Sequence, residues 1–300
     1  MVTEMTTSTE IASPRAELVL VTGASTGIGA ATARELAHRG FHVLAGVRRE
    51  VDADALRSDR IEPRILDITN PAHIAALAQR IADDPAGRPL RALVNNAGIA
   101  VNAPVETLPM EEWRRQFDVN LFGHIAMTQA MLPALIDSSG TVVNISSVGG
   151  KIAMATYGAY AGSKFAMEAV SDSLRREVAE HGVKVIVVEP GGVITEMSGR
   201  GIATAHQLAG EMAPAQHERY DALVDAIVAQ ADSFTRRGLS AAKAAQVIAG
   251  AITAKKPRAR YTVGRDAAVL TRLARVLPDR LLDRVLYRNL VPHYQQKVHA

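Results

Sequence analysis

The chain has 300 residues, 48% hydrophobic and 22% charged, a balance close to that of soluble globular proteins and long enough to bury a large core. It contains no cysteine, which excludes disulfides, thiolate nucleophiles and cysteine-ligated zinc, and its nine histidines form no HExxH motif, so no metal site is expected. The net charge of +3 is uneven: residues 255–300 carry eleven Lys and Arg against three Asp, a net of +8.

The first sixteen residues are polar and lack the apolar stretch of a secretion signal, and no apolar run reaches the ~20 residues of a spanning helix. The expectation is a cytoplasmic protein with no transmembrane segment, residues 1–16 forming a disordered tail and residues 17–300 one domain. Residues 17–22 (ELVLVT) predict a buried strand, followed by a glycine turn over 23–29 and a helix over 30–39 that stops at Gly40. A second strand over 41–47 and a third over 62–66 follow, then a helix over 71–82 and a fourth strand over 90–94. A long helix over 111–136 leads to a fifth strand over 140–145, and another over 159–181 to a sixth over 183–188. Continuously apolar strands alternating with helices predict a doubly wound α/β fold, a parallel sheet with helices on both faces. Residues 196–238 form an insertion after the sixth strand, where ligands sit in such sheets, and could serve as a substrate lid or as two surface helices. Residues 264–300 form a basic helical extension. It is expected to cap the fold; nucleic acid is not expected as a partner, and contact with a membrane surface stays open.

Gly23, Gly27 and Gly29 lie between a strand and a helix, where glycine lets the backbone approach a pyrophosphate and the helix N-terminus offers free N–H groups. Their spacing is G-x3-G-x-G. Near the end of the second strand, where NAD-binding chains carry a carboxylate for the ribose 2′-hydroxyl, stand Val47, Arg48 and Arg49. A guanidinium there would grip a 2′-phosphate, so NADP(H) is preferred, with NAD(H) the alternative. Tyr160 and Lys164 stand four apart at a helix start, so they share a face. A cation beside a phenol favours the phenolate, and such a tyrosine can exchange a proton with an alcohol oxygen during hydride transfer.

TGASTGIG at 22–29, NNAG at 95–98, Asn120 in FDVNLFG, Ser147 in NISSVGG, YAGSK at 160–164 and PGGVIT at 190–195 occur in the order shown by short-chain dehydrogenases/reductases, which the chain resembles over residues 18–195. The resemblance implies a Rossmann-type sheet of about seven strands, a nicotinamide cofactor and a tetrad of Asn120, Ser147, Tyr160 and Lys164. It implies Tyr160 as general acid/base, and Lys164 as the residue that holds the nicotinamide ribose and depresses the Tyr160 pKa. It makes Ser147 the partner of the substrate oxygen and Asn120 part of a water relay. Ser147 rather than Ser146 is selected by its thirteen-residue separation from Tyr160. For the cofactor it implies Gly23, Ser25, Thr26, Gly27, Ile28 and Gly29 at the turn, and Asp67 with Ile68 near the adenine. Asn95, Ala97 and Gly98 would lie near the ribose, and Pro190, Gly191, Val193 and Thr195 around the carboxamide. Thr26 stands where many NADP-using relatives have a basic residue.

Val148, Met154, Tyr157 and Met197 are expected to wall the substrate pocket, giving it an apolar character suited to a lipophilic alcohol or ketone. Residues 261–284 resemble the end of the retinol- and steroid-dehydrogenase branch. The resemblance also implies a homodimer built on the two long helices. A chain of this fold that only senses nucleotide, without catalysis, is the alternative; such chains lose a tetrad member, and all four are present here.

Overall fold

The computed structural model describes residues 16–294; the expected tail over 1–16 and the last six residues of the basic extension fall almost entirely outside them. The elements run β1 Leu18–Val21, α1 Gly27–His38, β2 His42–Val47, α2 Glu50–Asp54, β3 Ile61–Ile65, α3 Pro71–Ala82, β4 Leu90–Asn95, α4 Met110–Phe117, α5 Gly123–Asp137, β5 Thr141–Ile145, α6 Gly158–Glu177, β6 Lys184–Pro190, β7 Val193–Ile194, α7 Glu196–Gly210, α8 Pro214–Arg236, β8 Leu239–Ser240, α9 Ala241–Thr253, β9 Arg260–Val263, α10 Arg265–Val276 and α11 Asp279–Tyr294. Seven strands form one sheet in the order β3-β2-β1-β4-β5-β6-β9, every pairing parallel. This is the Rossmann-type sheet that the sequence motifs imply.

Side chains alternate across each strand, and both faces are covered. Val19 and Val21 of β1 join Ala33 and Leu36 of α1 and Ile248 and Ile252 of α9 in one core. Leu18 and Leu20 join Leu77 of α3 and Met127, Met131 and Leu135 of α5 in the other. The strand order reverses between β1 and β4, and the crevice beyond their carboxyl ends is where this topology admits a ligand.

The predicted helix over 111–136 is interrupted. Residues Asp118–Phe122 form a π-helical turn between α4 and α5, a feature that periodicity cannot show because the apolar pattern continues through it. By length and composition the combined helix Met110–Asp137 could cross a membrane, in contrast to the reading of apolar runs in the sequence. Met127, Met131 and Leu135 are buried in the core, however. The helix predicted over 159–181 ends at Glu177, and a 3-10 turn at Ala179–His181 leads to Gly182 in the left-handed region. The insertion over 196–238 is helical, formed by α7 and α8, and Val193–Ile194 pairs with Leu239–Ser240 to close its base.

Candidate active site

Pocket and glycine turn meet at the carboxyl ends of β1, β4, β5 and β6. A chamber of about 2110 Å³ opens there, lined at one end by Gly23, Ser25, Thr26, Gly27, Ile28, Gly29 and Arg48, and at the other by Ser147, Tyr160 and Lys164. Asp67, Ile68, Ala97, Gly98, Pro190, Gly191, Val193 and Thr195 line it as well, as do Val148, Met154, Tyr157 and Met197.

The glycine turn is shaped for an anionic ligand. Gly23 has φ +62°, a conformation costly for other residues, and a Cβ on it would lie 2.6 Å from Ala97 Cα. Helix α1 begins at Gly27 behind Thr26, whose side chain makes no capping bond, and its first turn carries no acidic residue. The first amides of α1 therefore keep their donors for a ligand, and the helix dipole favours negative charge there. Thr22 fixes the turn to β4: its Oγ1 accepts from the amides of Asn96 (2.9 Å) and Ala97 (3.0 Å). Asn96 Nδ2 in turn donates to the carbonyls of Thr22 and Gly23. A dinucleotide pyrophosphate fits these groups.

Two expectations need correction at this end, and Asn120 beside it is held mainly by protein. Arg49 is turned away, its guanidinium gripping Asp52 at 2.7 and 2.8 Å, while Arg48 lines the chamber. Asn95 is buried behind the chamber, donating to Thr128 and Asn144 at 3.0 and 2.8 Å; Asn96 is the asparagine that lines it. Alternation explains this, since adjacent residues at a strand end face opposite ways. The Asn120 side chain bonds to protein, with Nδ2 donating to Ile99 O (3.0 Å) and Ser163 Oγ (3.3 Å) and Oδ1 accepting from Ile99 N (2.9 Å). Both Nδ2 protons are thereby spent within the protein, and Oδ1 keeps one further lone pair for a water; the side chain pins the loop after β4 to the π-helical turn.

At the opposite end, helix α6 presents Tyr160 and Lys164 on one face. Tyr160 stands beside Ser147, whose hydroxyl favours its ionised form, and Lys164 Nζ lies 5.9 Å from the Tyr160 ring centroid. Tyr157 meets Tyr160 edge-on, with ring centroids 6.1 Å apart. Lys164 Nζ donates to Ile145 O at 2.8 Å, tying α6 to the end of β5. Burial pushes Tyr160 up, only partly offset by the Ser147 hydroxyl, while burial pushes Lys164 down to about 8. Desolvation of the buried phenol runs against the depression expected from Lys164, whose Nζ lies 5.9 Å from the ring. Asp67 sits beside Arg48; burial opposes its ionisation, but Thr69, which donates from N and Oγ1 at 2.9 and 2.7 Å, holds it below the usual carboxylate range.

His124 of α5, which the motifs did not show, lies buried behind the chamber. Its Nε2 lies 2.7 Å from Ala97 O, and since a carbonyl only accepts, Nε2 carries the proton. Burial pushes the imidazole down to about 3, with the nearby Lys164 cation adding to the effect. An ionisable group depressed in the folded state favours folding above its unfolded pKa, and that contribution is lost as pH falls. Between pH 6.5 and 5 the unfolded imidazole takes up a proton that the folded one refuses, so stability should fall by roughly 2 kcal/mol. Urea midpoints at pH 7 and 5 should show this loss in the wild type and not in His124→Leu; a flat wild-type profile would contradict it.

The outer wall belongs to elements beyond the motifs. Leu223, Ile227 and Phe234 of α8 and Leu286, Tyr287 and Leu290 of α11 line the chamber. In α11 they fall at i, i+1 and i+4, an apolar stripe legible in the sequence only once the helix is known to face inward.

The match to known proteins agrees with this geometry. A family model described as short chain dehydrogenase matches residues 17–205. The chain belongs to the short-chain dehydrogenase family. It is therefore a nicotinamide-dependent oxidoreductase acting on CH–OH groups. Retinol dehydrogenase 7 of Mus musculus is 38% identical over 276 residues, covering 90% of this chain and 87% of that protein. An NADPH-dependent 3-dehydrocapnine reductase of Ornithobacterium rhinotracheale is 32% identical, covering 90% and 96%. Among solved structures, a short-chain dehydrogenase of Streptomyces avermitilis superposes with a TM-score of 0.72 at 31% identity, covering 92% of this chain and 95% of that one. One from Burkholderia cenocepacia J2315, solved in complex with NADP, gives 0.69 at 26% identity, covering 92% and 98%.

Proposed function

We propose that this short-chain dehydrogenase interconverts a bulky lipophilic alcohol and its ketone or aldehyde, using NADP(H), with Tyr160 as general acid/base. The observation that carries this reading is the placement of Tyr160 beside Ser147 and Lys164 in a chamber whose outer wall is apolar. When bound, the cofactor supplies or accepts the hydride. In reduction, Tyr160 gives its phenolic proton to the carbonyl oxygen as the C–H bond forms, and in oxidation it takes that proton back. Ser147 donates to the same oxygen and steadies the charge developing on it. Lys164, buried and cationic near neutral pH, would hold the nicotinamide ribose and favour the Tyr160 phenolate. Helices α7, α8 and α11 act as a lid that excludes water.

Arg48 supports NADP(H). It lines the chamber near Asp67, whereas Arg49 is spent on Asp52. Arg48→Ala is expected to weaken NADPH binding by about 10–100-fold, the worth of one charge-assisted pair, and to leave NADH binding unchanged. Titration of both nucleotides checks it, and equal wild-type affinities would contradict the cofactor reading. Two relatives point the same way, one named as NADPH-dependent and one solved with NADP. Retinol dehydrogenases among the similar proteins support a lipophilic substrate. Phe122 at the π-helical turn and Phe165 of α6 are 56% and 44% exposed, which supports a homodimer through the long helices.

A screen of retinoid, steroid and short aliphatic carbonyls with both nucleotides tests the substrate class. The expected result is the highest kcat/KM for a bulky carbonyl with NADPH; a preference for short aliphatic carbonyls would overturn it.

A further inference from the structure

A buried cluster of charge lies on the far side of Lys164 from the chamber. Asn144 of β5 donates to Ser171 of α6, so that side of β5 faces α6, and Ser146 two residues on faces it too. The register sets Asn144 beside Val187, which turns Glu189 of β6 to the same face, and sets Glu189 beside Thr262 of β9. Thr262 Oγ1 donates to Glu189 Oε2 at 2.8 Å. From above, α6 adds Glu168, one turn after Lys164. Glu168 and Glu189 are 5% and 3% exposed.

Two cations answer these two carboxylates. Lys151, at the end of the turn that follows Ser147, places Nζ 2.6 Å from Glu168 Oε2 and 3.6 Å from Glu189 Oε1. Arg260 of β9 places Nε 3.0 Å from Glu168 Oε2 and 3.5 Å from Glu189 Oε1, and Nη2 2.8 Å from Asp172. The turn lies close against α6 because Gly150 has no side chain: a Cβ there would be 2.5 Å from Ser146 Oγ, 3.1 Å from Glu168 Cγ and 3.2 Å from Lys164 O. Gly149 packs the same turn on the Tyr160 ring, a Cβ there falling 3.0 Å from Cε1. An apolar set of similar volume would hold these elements together at least as well, because burying carboxylates is costly even when they are paired. Charge at this place therefore asks for a role beyond packing.

We propose that Glu168 is a positioning residue for the Tyr160–Lys164 pair, clamping the Ser147-bearing turn onto α6 through Lys151 and supplying the negative charge that balances buried Lys164. The inference rests on the proposed roles of Tyr160 and Lys164. The charged and titratable groups around Lys164 and Glu168 are Tyr160 and Asp172 on the same helix, His124 from α5, Lys151 from the turn after β5, Glu189 from β6 and Arg260 from β9. His124 is neutral above about pH 3, so Glu168 and Lys151 act with opposite sign. Glu168 raises the Lys164 pKa against the lowering by burial.

The test is the pH dependence of NADPH affinity, followed by nucleotide fluorescence, since affinity should fall at high pH as Lys164 loses its proton. Glu168→Gln should move this fall to lower pH by about one unit. Lys151→Met, which leaves Glu168 without its counter-cation, should move it to higher pH. Asp172→Asn breaks the same network at Arg260 two turns from Lys164 and should leave it in place. Unmoved profiles in the first two variants, shifts of the same sign, or a shift in Asp172→Asn equal to that of Glu168→Gln would each overturn the inference. If Glu168→Gln does not fold, Lys151→Met decides alone by the direction of its shift. Tyr160→Phe run alongside separates the two readings. Retained turnover there would sink the site assignment, whereas an inactive Tyr160→Phe with an unmoved Glu168→Gln profile would sink only the positioning role.

Discussion

Tyr160→Phe is expected to lower turnover by on the order of 10³-fold while NADPH binding survives, because the change removes only the hydroxyl that carries the exchangeable proton. The ring remains to pack on Gly149 and against Tyr157, so the floor of the chamber keeps its shape. Lys164 keeps its bond to Ile145 O, which does not involve the phenol. A loss confined to kcat would identify the hydroxyl as the group that moves the proton. Loss of NADPH binding would instead show that the hydroxyl is needed to build the nucleotide site.

Gly29→Ala should be the most damaging single methyl in the nucleotide half. The new Cβ would lie 2.2 Å from Gly23 O and 2.4 Å from Asn96 Nδ2. Neither atom can yield, since Asn96 Nδ2 donates to Gly23 O at 3.0 Å and holds the turn to β4. Opening that contact would displace the first turn of α1, with a cost of about 1–3 kcal/mol in stability from overpacking. Displaced amides would also weaken NADPH binding by about 10–100-fold, the worth of one or two hydrogen bonds to a charged group. Gly199→Ala in α7 is the control: a Cβ there meets nothing within 4 Å, and the helix should gain about 1 kcal/mol. Thermal melts and nucleotide titrations of both variants check the contrast; equal behaviour would refute it.

The parallel sheet was legible because its strands are apolar on both faces and each is followed by a helix. The catalytic end was legible because Ser147, Tyr160 and Lys164 lie within eighteen residues, on one strand end and one helix. What motifs could not carry was direction. Arg48 and Arg49 are equivalent in the sequence, and only the competing Asp52 three residues on turns one of them away. Asn95 and Asn96 exchange roles because strand alternation at the end of β4 decides which faces the chamber. Nor could the sequence show that the Asn120 amide is bonded to Ile99, a contact between the loop after β4 and a π-helical turn. His124 and Glu168 sit in apolar helical patterns whose partners are far apart in the chain. The outer wall was hidden for the same reason: α8 and α11 reach the chamber from beyond the last motif.

The most direct test of catalysis is a single turnover, in which protein loaded with NADPH is mixed with a panel of bulky ketones and aldehydes and nucleotide absorbance is followed. Rapid oxidation of the bound NADPH by at least one of them, lost in Tyr160→Phe, is the expected result. Tight NADPH binding with no oxidation by any carbonyl, and no reduction of NADP by the corresponding alcohols, would contradict it and favour a nucleotide-sensing protein.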